Sequence, residues 1–220
     1  MVINATGQLQ NADDVLAAHV RDRLAQAEQS DDPVHVITAD DFRGGATAET
    51  PDSVHTWHFS ANRVRDVAFS ATRASYWDAA RAAVGDRDGD GETDYTRVDA
   101  IYRETAPLWE REVEYLQHSI TFLSEHLGYP YPDPHMTAIE GGGIIGGGME
   151  FPMMTLIGDY NARGDSALYA VTLHELSHMW MPMIVNSDER RYSWLDEGTT
   201  TFNENMGKGE FFEDIRSMNF

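Results

Sequence analysis

The chain has 220 residues, 37 of them acidic and 16 basic, which gives a formal net charge of −21. Such a chain would repel nucleic acid, and with no run of 18 apolar residues it offers no membrane span. The length and the 41% share of hydrophobic residues allow one large domain or two small ones with a real core, while the lack of cysteine excludes disulfides and thiolate zinc sites.

The basic residues include a single lysine, Lys208. An acidic, lysine-poor surface fits a protein kept soluble at high salt, but a GC-rich genome also favours Arg, Asp, Ala and Gly. The sequence leaves both origins open. It also leaves open the oligomeric state.

Residues 1–75 are predicted to be β-rich. Alternating or β-branched runs indicate strands at 34–38, 53–59 and 64–70. Between the first residues and these strands, apolar positions at helical spacing predict a helix over 13–29.

Residues 76–99 are predicted to be an acidic connecting segment. Asp86, Asp88 and Asp90 stand at alternate positions beside glycines, which is similar to the first half of an EF-hand calcium loop. Arg97 occupies the position where such a loop needs a bidentate carboxylate. An acidic surface loop is therefore the favoured interpretation, with a structural Ca²⁺ ion at the three aspartates as the minor alternative.

Residues 100–220 are predicted to begin with a long amphipathic helix. Apolar residues recur at spacings of three and four over 109–127, and Gly128 followed by Pro130 predicts the end of the helix. A strand is predicted at 136–139, before a run of glycines. A largely apolar helix is then predicted from about residue 166 to the stop at Met181-Pro182.

The most informative motif, His174-Glu175-Leu176-Ser177-His178, lies on that last helix. Two imidazoles four positions apart share one helix face and can reach one metal ion. Glu197, after 18 further residues, can supply a third ligand. Three protein ligands with one open position describe a catalytic zinc site rather than a structural one. Glu175 is then the candidate general base that takes the proton from an activated water.

This arrangement resembles the gluzincin metallopeptidases. The stretch Gly146-Gly147-Gly148-Met149-Glu150 also looks like the GxMEN exopeptidase signature of the M1 aminopeptidase family, here in the variant GGMEF. The resemblance implies an α+β fold, in which the end of a β-rich N-terminal saddle domain precedes the first part of a thermolysin-like zinc peptidase domain. It also implies that Glu204 orients a zinc-bound imidazole, although an exposed helix carboxylate is an equal alternative.

Glu150 carries the prediction of an exopeptidase. A carboxylate at the end of a cleft would bind the cationic N-terminus of a peptide, and Gly147 and Gly148 would let the substrate backbone approach closely. Met149 is predicted to bind substrate beside them. Phe151 replaces the usual Asn of the signature and offers no amide, which affects substrate preference.

The predicted function is zinc-dependent removal of N-terminal residues from peptides. The family uses a tyrosine well downstream of the third ligand to bind the oxyanion, and no Tyr follows Glu197. We therefore expect a fragment of a larger enzyme, one that binds zinc but hydrolyses peptides poorly. The alternative is a catalytically weak or inactive zinc-binding module for peptide interaction. The resemblance is compatible with export of the full-length protein, and the compartment is left open.

Overall fold

The computed structural model describes residues 1–212, which form a mixed α+β structure. The strands are β1 (Val2–Ala5), β2 (Gln8–Leu9), β3 (Val34–Ile37), β4 (Phe59–Ser60), β5 (Phe69–Thr72), β6 (Tyr76–Gly85), β7 (Asp94–Tyr102), β8 (His135–Glu140), β9 (Gly148–Phe151) and β10 (Met154–Ile157). The α-helices are α1 (Ala12–Val15), α2 (Ala18–Ala27), α3 (Glu112–His126), α4 (Asp165–Ser177) and α5 (Ser193–Phe211). Short 3₁₀ helices lie at Ala39–Asp41 and Pro107–Arg111.

A six-stranded sheet organises the described residues, in the order β3-β6-β7-β8-β10-β9. The pairs β7–β8 and β8–β10 are parallel, and the other three pairs are antiparallel. The strand that carries Glu150, β9, therefore lies at one edge of this sheet. Two small two-stranded sheets, β1–β5 and β2–β4, accompany it.

Apolar side chains cover both faces of the large sheet. On one face β6, β7 and β8 pack against α3 and α4, around fully buried Trp109, Leu116 and Leu173. On the other face the sheet packs against α1 and α2, around Leu16 and Val20. The sheet thus lies between two helical layers. Its strands β8 and β10 run in the same direction, so both end next to the glycine-rich loop before β9.

The predicted amphipathic helix is present as the 3₁₀ turn Pro107–Arg111 followed by α3. Its predicted apolar stripe is buried from Trp109 to Leu123, whereas Leu127 is 36% exposed because the helix ends at His126. Gly128 follows with a φ of +64°, a left-handed conformation that glycine adopts without strain. Among residues 1–212, no helix combines the length and the apolar character needed to cross a bilayer.

Several sequence predictions in the N-terminal half need correction. The helix over 13–29 divides into α1 and α2 because Leu16 is extended and bridges to Thr47, which buries both Val15 and Leu16. The strand over 53–59 is reduced to β4, since its partner β2 has only two residues. The strand over 64–70 begins later, at β5, where it pairs with β1.

The segment 76–99 is not a connector. Most of it forms β6 and β7, two central strands of the large sheet, and only the acidic turn between them is loop. Strands buried on both faces lack the alternation that reveals a strand in a sequence, and β6 is rich in alanine. The domain boundaries predicted at 75 and 100 stay predictions, but the large sheet takes strands from all three predicted segments.

Candidate metal centre and substrate cleft

Helix α4 presents the two histidines of the motif to one side. His174 lies in its last turn, and His178 caps it in a helical conformation, so the two ring centroids are 5.1 Å apart. The His178 side chain is 1% exposed and that of His174 is 17% exposed. The apolar residues of the same helix, Leu168, Leu173 and Leu176, anchor it in the core, so the rings have little freedom to diverge.

Helix α5 brings Glu197 to these rings. Its Oε2 lies 3.1 Å from His174 Nε2 and 3.9 Å from His178 Nε2. The two helices are fixed to each other by a buried hydrogen bond of 2.7 Å from Asn203 Nδ2 to Ser177 Oγ. The three residues that the sequence predicts as ligands therefore meet at one point.

The outer ring nitrogens have acceptors of their own. His174 Nδ1 lies 3.2 Å from Glu204 Oε2, the contact that the family resemblance implies. His178 Nδ1 donates a hydrogen bond of 3.1 Å to the Met181 carbonyl oxygen, and Asp196 Oδ1 lies 2.7 Å from the same nitrogen as an ion-pair contact outside hydrogen-bond geometry. Partners of this kind fix the tautomer and leave both Nε2 atoms available to a shared cation.

The donor set fits a zinc ion. One ligand atom from each of His174, His178 and Glu197 lies within 4.8 Å of the others, and two imidazoles with one carboxylate are a usual catalytic zinc shell. The surroundings also favour a cation: burial lowers the pKa of His174, but Glu204, Glu175 and Glu197 outweigh it and raise that pKa above its ordinary value.

Glu175 lies beside the predicted ligand His178 in a nearly closed environment. It is 4% exposed, and burial raises its pKa to about 8, a shift that nearby His174 opposes and the carboxylates of Glu150 and Glu197 reinforce. Its Oε2 has no hydrogen-bond partner among the described residues. A β-carbon at Gly148 would overlap the Glu175 carboxylate, so this glycine makes room for the candidate base.

Glu150, on the edge strand β9, lies close to Glu175 and His178. It pairs with Thr155 in the β9–β10 register, and its carboxylate lies within 4.8 Å of ligand atoms of Glu175 and His178. Burial raises the pKa of Glu150, while His178 lowers it. These groups line one cavity of about 630 Å³, together with Gly147, Gly148 and Met149.

Sequence reasoning missed four residues of this site. Asp196 supports His178, and Tyr160, Arg163 and Lys208 line the far part of the cavity. Asp196 stands next to Glu197 in the sequence, which could have suggested it. The other three come from a loop and from a later turn of α5, and only tertiary packing brings them to the cavity.

The acidic turn between β6 and β7 is separate from this centre. Oxygens of Asp86, Asp88 and Asp90 lie within 4.8 Å of one another and are exposed. Both carboxylate oxygens of Asp86 already accept backbone N–H groups, from Gly89 at 2.6 Å and Gly91 at 2.9 Å. The turn thus satisfies its own carboxylate, as expected of a surface loop, and calcium binding there stays the minor prediction.

Residues 111–219 match the family model described as the peptidase family M1 domain. This part of the chain belongs to peptidase family M1. Every residue of the cavity and the metal centre lies within the matched part.

Three relatives align with short parts of the chain. Leukotriene A-4 hydrolase of Xenopus laevis is 35% identical over 71 residues, which are 32% of this chain and 12% of that protein. Leucine aminopeptidase 2 of Phaeosphaeria nodorum is 38% identical over 63 residues, 29% of this chain and 10% of that protein. Leucine aminopeptidase 2 of Candida albicans is 38% identical over 58 residues, 26% of this chain and 9% of that protein. The aligned part thus spans about a tenth of each relative.

Proposed function

We propose that this M1 chain carries the zinc centre and amine-binding end of an aminopeptidase, which removes N-terminal residues from peptides. The observation that carries the proposal is the convergence of His174, His178 and Glu197 with Glu175 and Glu150 in one cavity. The names of the aligned relatives, an aminopeptidase and a hydrolase, support the same activity.

His174, His178 and Glu197 would hold the ion. A bound zinc ion lowers the pKa of water and polarises a carbonyl group. Glu175 lies where it can take a proton from water and return it to the leaving amine, and its raised pKa suits both transfers near neutral pH. Asp196 and Glu204 orient the imidazoles through their Nδ1 atoms.

Glu150 would bind the free N-terminus of the substrate. Its carboxylate lies beside Glu175 and His178, where it would set the amine next to the reacting bond and leave no room for longer N-terminal extensions. Because β9 is the edge strand of the large sheet, an extended peptide can add to it as a further strand. Phe151 leaves that peptide without the amide that the family's usual Asn offers.

We also propose a domain architecture for the chain. The sheet edge, α4 and α5 support a thermolysin-like domain, and the small sheets of residues 1–75 support the end of a saddle domain. Export of the full-length protein is likewise a proposal that rests on the resemblance alone.

Metal analysis and peptide cleavage test the function together. We expect one zinc ion per chain, and slow release of the first residue from leucyl-p-nitroanilide but not from its N-acetylated form. Glu175→Gln should keep the zinc and lose at least about 100-fold in rate, since general base catalysis contributes about 10²–10⁴. Glu92→Gln, in the exposed acidic turn, is the matched control and should change neither quantity.

Two results would contradict the proposal. If the purified chain contains no zinc and takes up none when it is refolded with zinc present, it has no such centre. Equal cleavage of free and acetylated substrates would remove the role of Glu150. Stoichiometric zinc with no cleavage above the Glu175→Gln background would instead favour the zinc-binding peptide module.

A further inference from the structure

The cavity continues well beyond the metal-binding side chains. Glu150 lies beside His178, at the C-terminal end of α4. From there the lining follows α4 backwards through Ala170 to Ala167, about two turns before His174. An elongated cleft of this kind gives a substrate a direction.

Two cations stand at the far end of this cleft. Arg163 lies in the loop just before α4 and Lys208 lies on α5, and both line the cavity together with Tyr160. The position of Lys208 follows from its neighbour: the Gly207 carbonyl oxygen accepts a 3.1 Å hydrogen bond from Tyr169 Oη, in the first half of α4.

Nearby carboxylates are held elsewhere. Asp165 accepts a hydrogen bond of 2.8 Å from Arg111, and Glu204 lies 3.2 Å from His174. Within the described range 1–212, Arg163 and Lys208 have no carboxylate oxygen within 4.0 Å. The Arg163 guanidinium lies instead 5.1 Å from the ring centre of Tyr160.

We propose that Arg163 and Lys208 form a carboxylate subsite for the leaving part of the peptide. This inference rests on the proposed function, because the amine at Glu150 fixes which way the substrate runs. The ligand is an acidic side chain, or the terminal carboxylate of a short peptide, within roughly the first three residues after the cleaved bond, as judged from the helix rise of ~1.5 Å and the strand rise of ~3.3 Å per residue. A protein of net charge −21 repels acidic peptides in general, so a preference for them needs local cations.

Binding, rather than turnover, tests the subsite. Isothermal titration of the full zinc-loaded chain would use three peptides: Leu-Ala-Ala amide, Leu-Asp-Ala amide and Leu-Ala-Ala with a free carboxylate. Mass spectrometry after each titration would verify that the peptide is intact. We expect one or both acidic peptides to bind roughly tenfold more tightly than the neutral one, with a preference that declines in high salt. The acidic peptide that binds more tightly shows whether the subsite takes a side-chain carboxylate or a terminal one.

Neutral variants assign the preference to the two cations. Lys208→Gln and Arg163→Gln should each reduce the ratio of acidic-peptide to neutral-peptide affinity to about threefold, and the double variant should abolish the preference. Lys208→Arg, which keeps the positive charge, should keep the full preference for the acidic peptides. Arg73→Gln, an exposed arginine outside the cleft, controls for net charge and should keep the full preference.

The outcomes separate the two proposals. If the neutral peptide shows no zinc-dependent binding, the proposed function fails and this inference fails with it. If the neutral peptide binds with zinc but the acidic peptides bind no better, or if Arg73→Gln weakens the preference as much as the cleft variants do, only the carboxylate subsite is overturned.

Discussion

The two imidazoles of the candidate metal centre differ in the groups that hold them. His174 faces Glu204, whose side chain is 26% exposed, whereas His178 is almost fully buried against Asp196, whose side chain is 6% exposed. A buried carboxylate keeps its geometry more strictly than an exposed one, because fewer rotamers are open to it. Asp196 should therefore matter for metal affinity although it is not one of the three predicted ligands.

Asp196→Asn tests this at the residue scale. We expect the zinc affinity to fall about 10- to 100-fold, as happens when the carboxylate behind a metal-bound histidine is removed. Competition with a chromogenic chelator measures the affinity directly. Asp188→Asn, in the exposed loop before α5, is the control and should leave it unchanged; equal affinities of the two variants would show that the Met181 carbonyl alone orients His178.

At the scale of the elements, the centre depends on how closely α4 and α5 approach. Gly207 lies at their contact, where an added β-carbon would overlap Leu173 Cδ1 and come within 3.0 Å of the Phe122 ring. Gly198 lies on the same helix, nine positions earlier, and its nearest neighbour for such a carbon is 3.9 Å away. Alanine substitutions at the two glycines therefore distinguish the effect of helix propensity from the effect of packing.

Gly207→Ala should destabilise the chain by about 1–3 kcal/mol through overpacking, even though alanine favours the helix. Gly198→Ala should be neutral or should stabilise by up to ~1 kcal/mol. Chemical denaturation of the metal-free chain measures both. A Gly207→Ala variant as stable as Gly198→Ala would mean that the helices can separate without cost.

At the scale of the whole molecule, a buried acid ties stability to pH. Glu112 lies between α3 and α4, fully buried, and accepts a hydrogen bond of 2.6 Å from Thr172 Oγ1. Burial raises the pKa of Glu112 from 4.5 to about 8, which the Thr172 hydrogen bond only partly opposes. The folded chain therefore keeps this proton at pH values where the unfolded chain has lost it.

The sign of the effect follows from that difference. Below pH 4.5 the folded and unfolded chains both hold the proton, and the contribution of Glu112 to the free energy of unfolding is complete. This contribution declines as pH rises and is lost above about pH 8. Glu112→Gln should thus gain stability relative to the original chain as pH rises from 5 to 8, by on the order of a few kcal/mol. Denaturation at several pH values measures this gain, and Glu125→Gln, exposed on the same helix, should show none. If the difference in free energy of unfolding between Glu112→Gln and the original chain stayed constant from pH 5 to 8, the folded chain would not hold a proton on Glu112 in this range.

The sequence could predict that the candidate metal ligands lie close together, because the two histidines share one helix turn. His174 and His178 share one helix turn, and helix periodicity alone sets their rings on one face. Glu197 and Glu204 share the next helix in the same way. The apolar stripe of α3 was visible for the same reason, since an amphipathic helix repeats its pattern over many residues.

Tertiary structure alone decided the rest. The central strands β6 and β7 escaped prediction because both their faces are buried, so no polar alternation marked them. The positions of Arg163 and Lys208 depend on how a loop and the end of α5 pack around α4, which no local pattern encodes. Spacing along a helix fixes which side chains can share an ion, but long-range packing decides which distant charges face the substrate beside it.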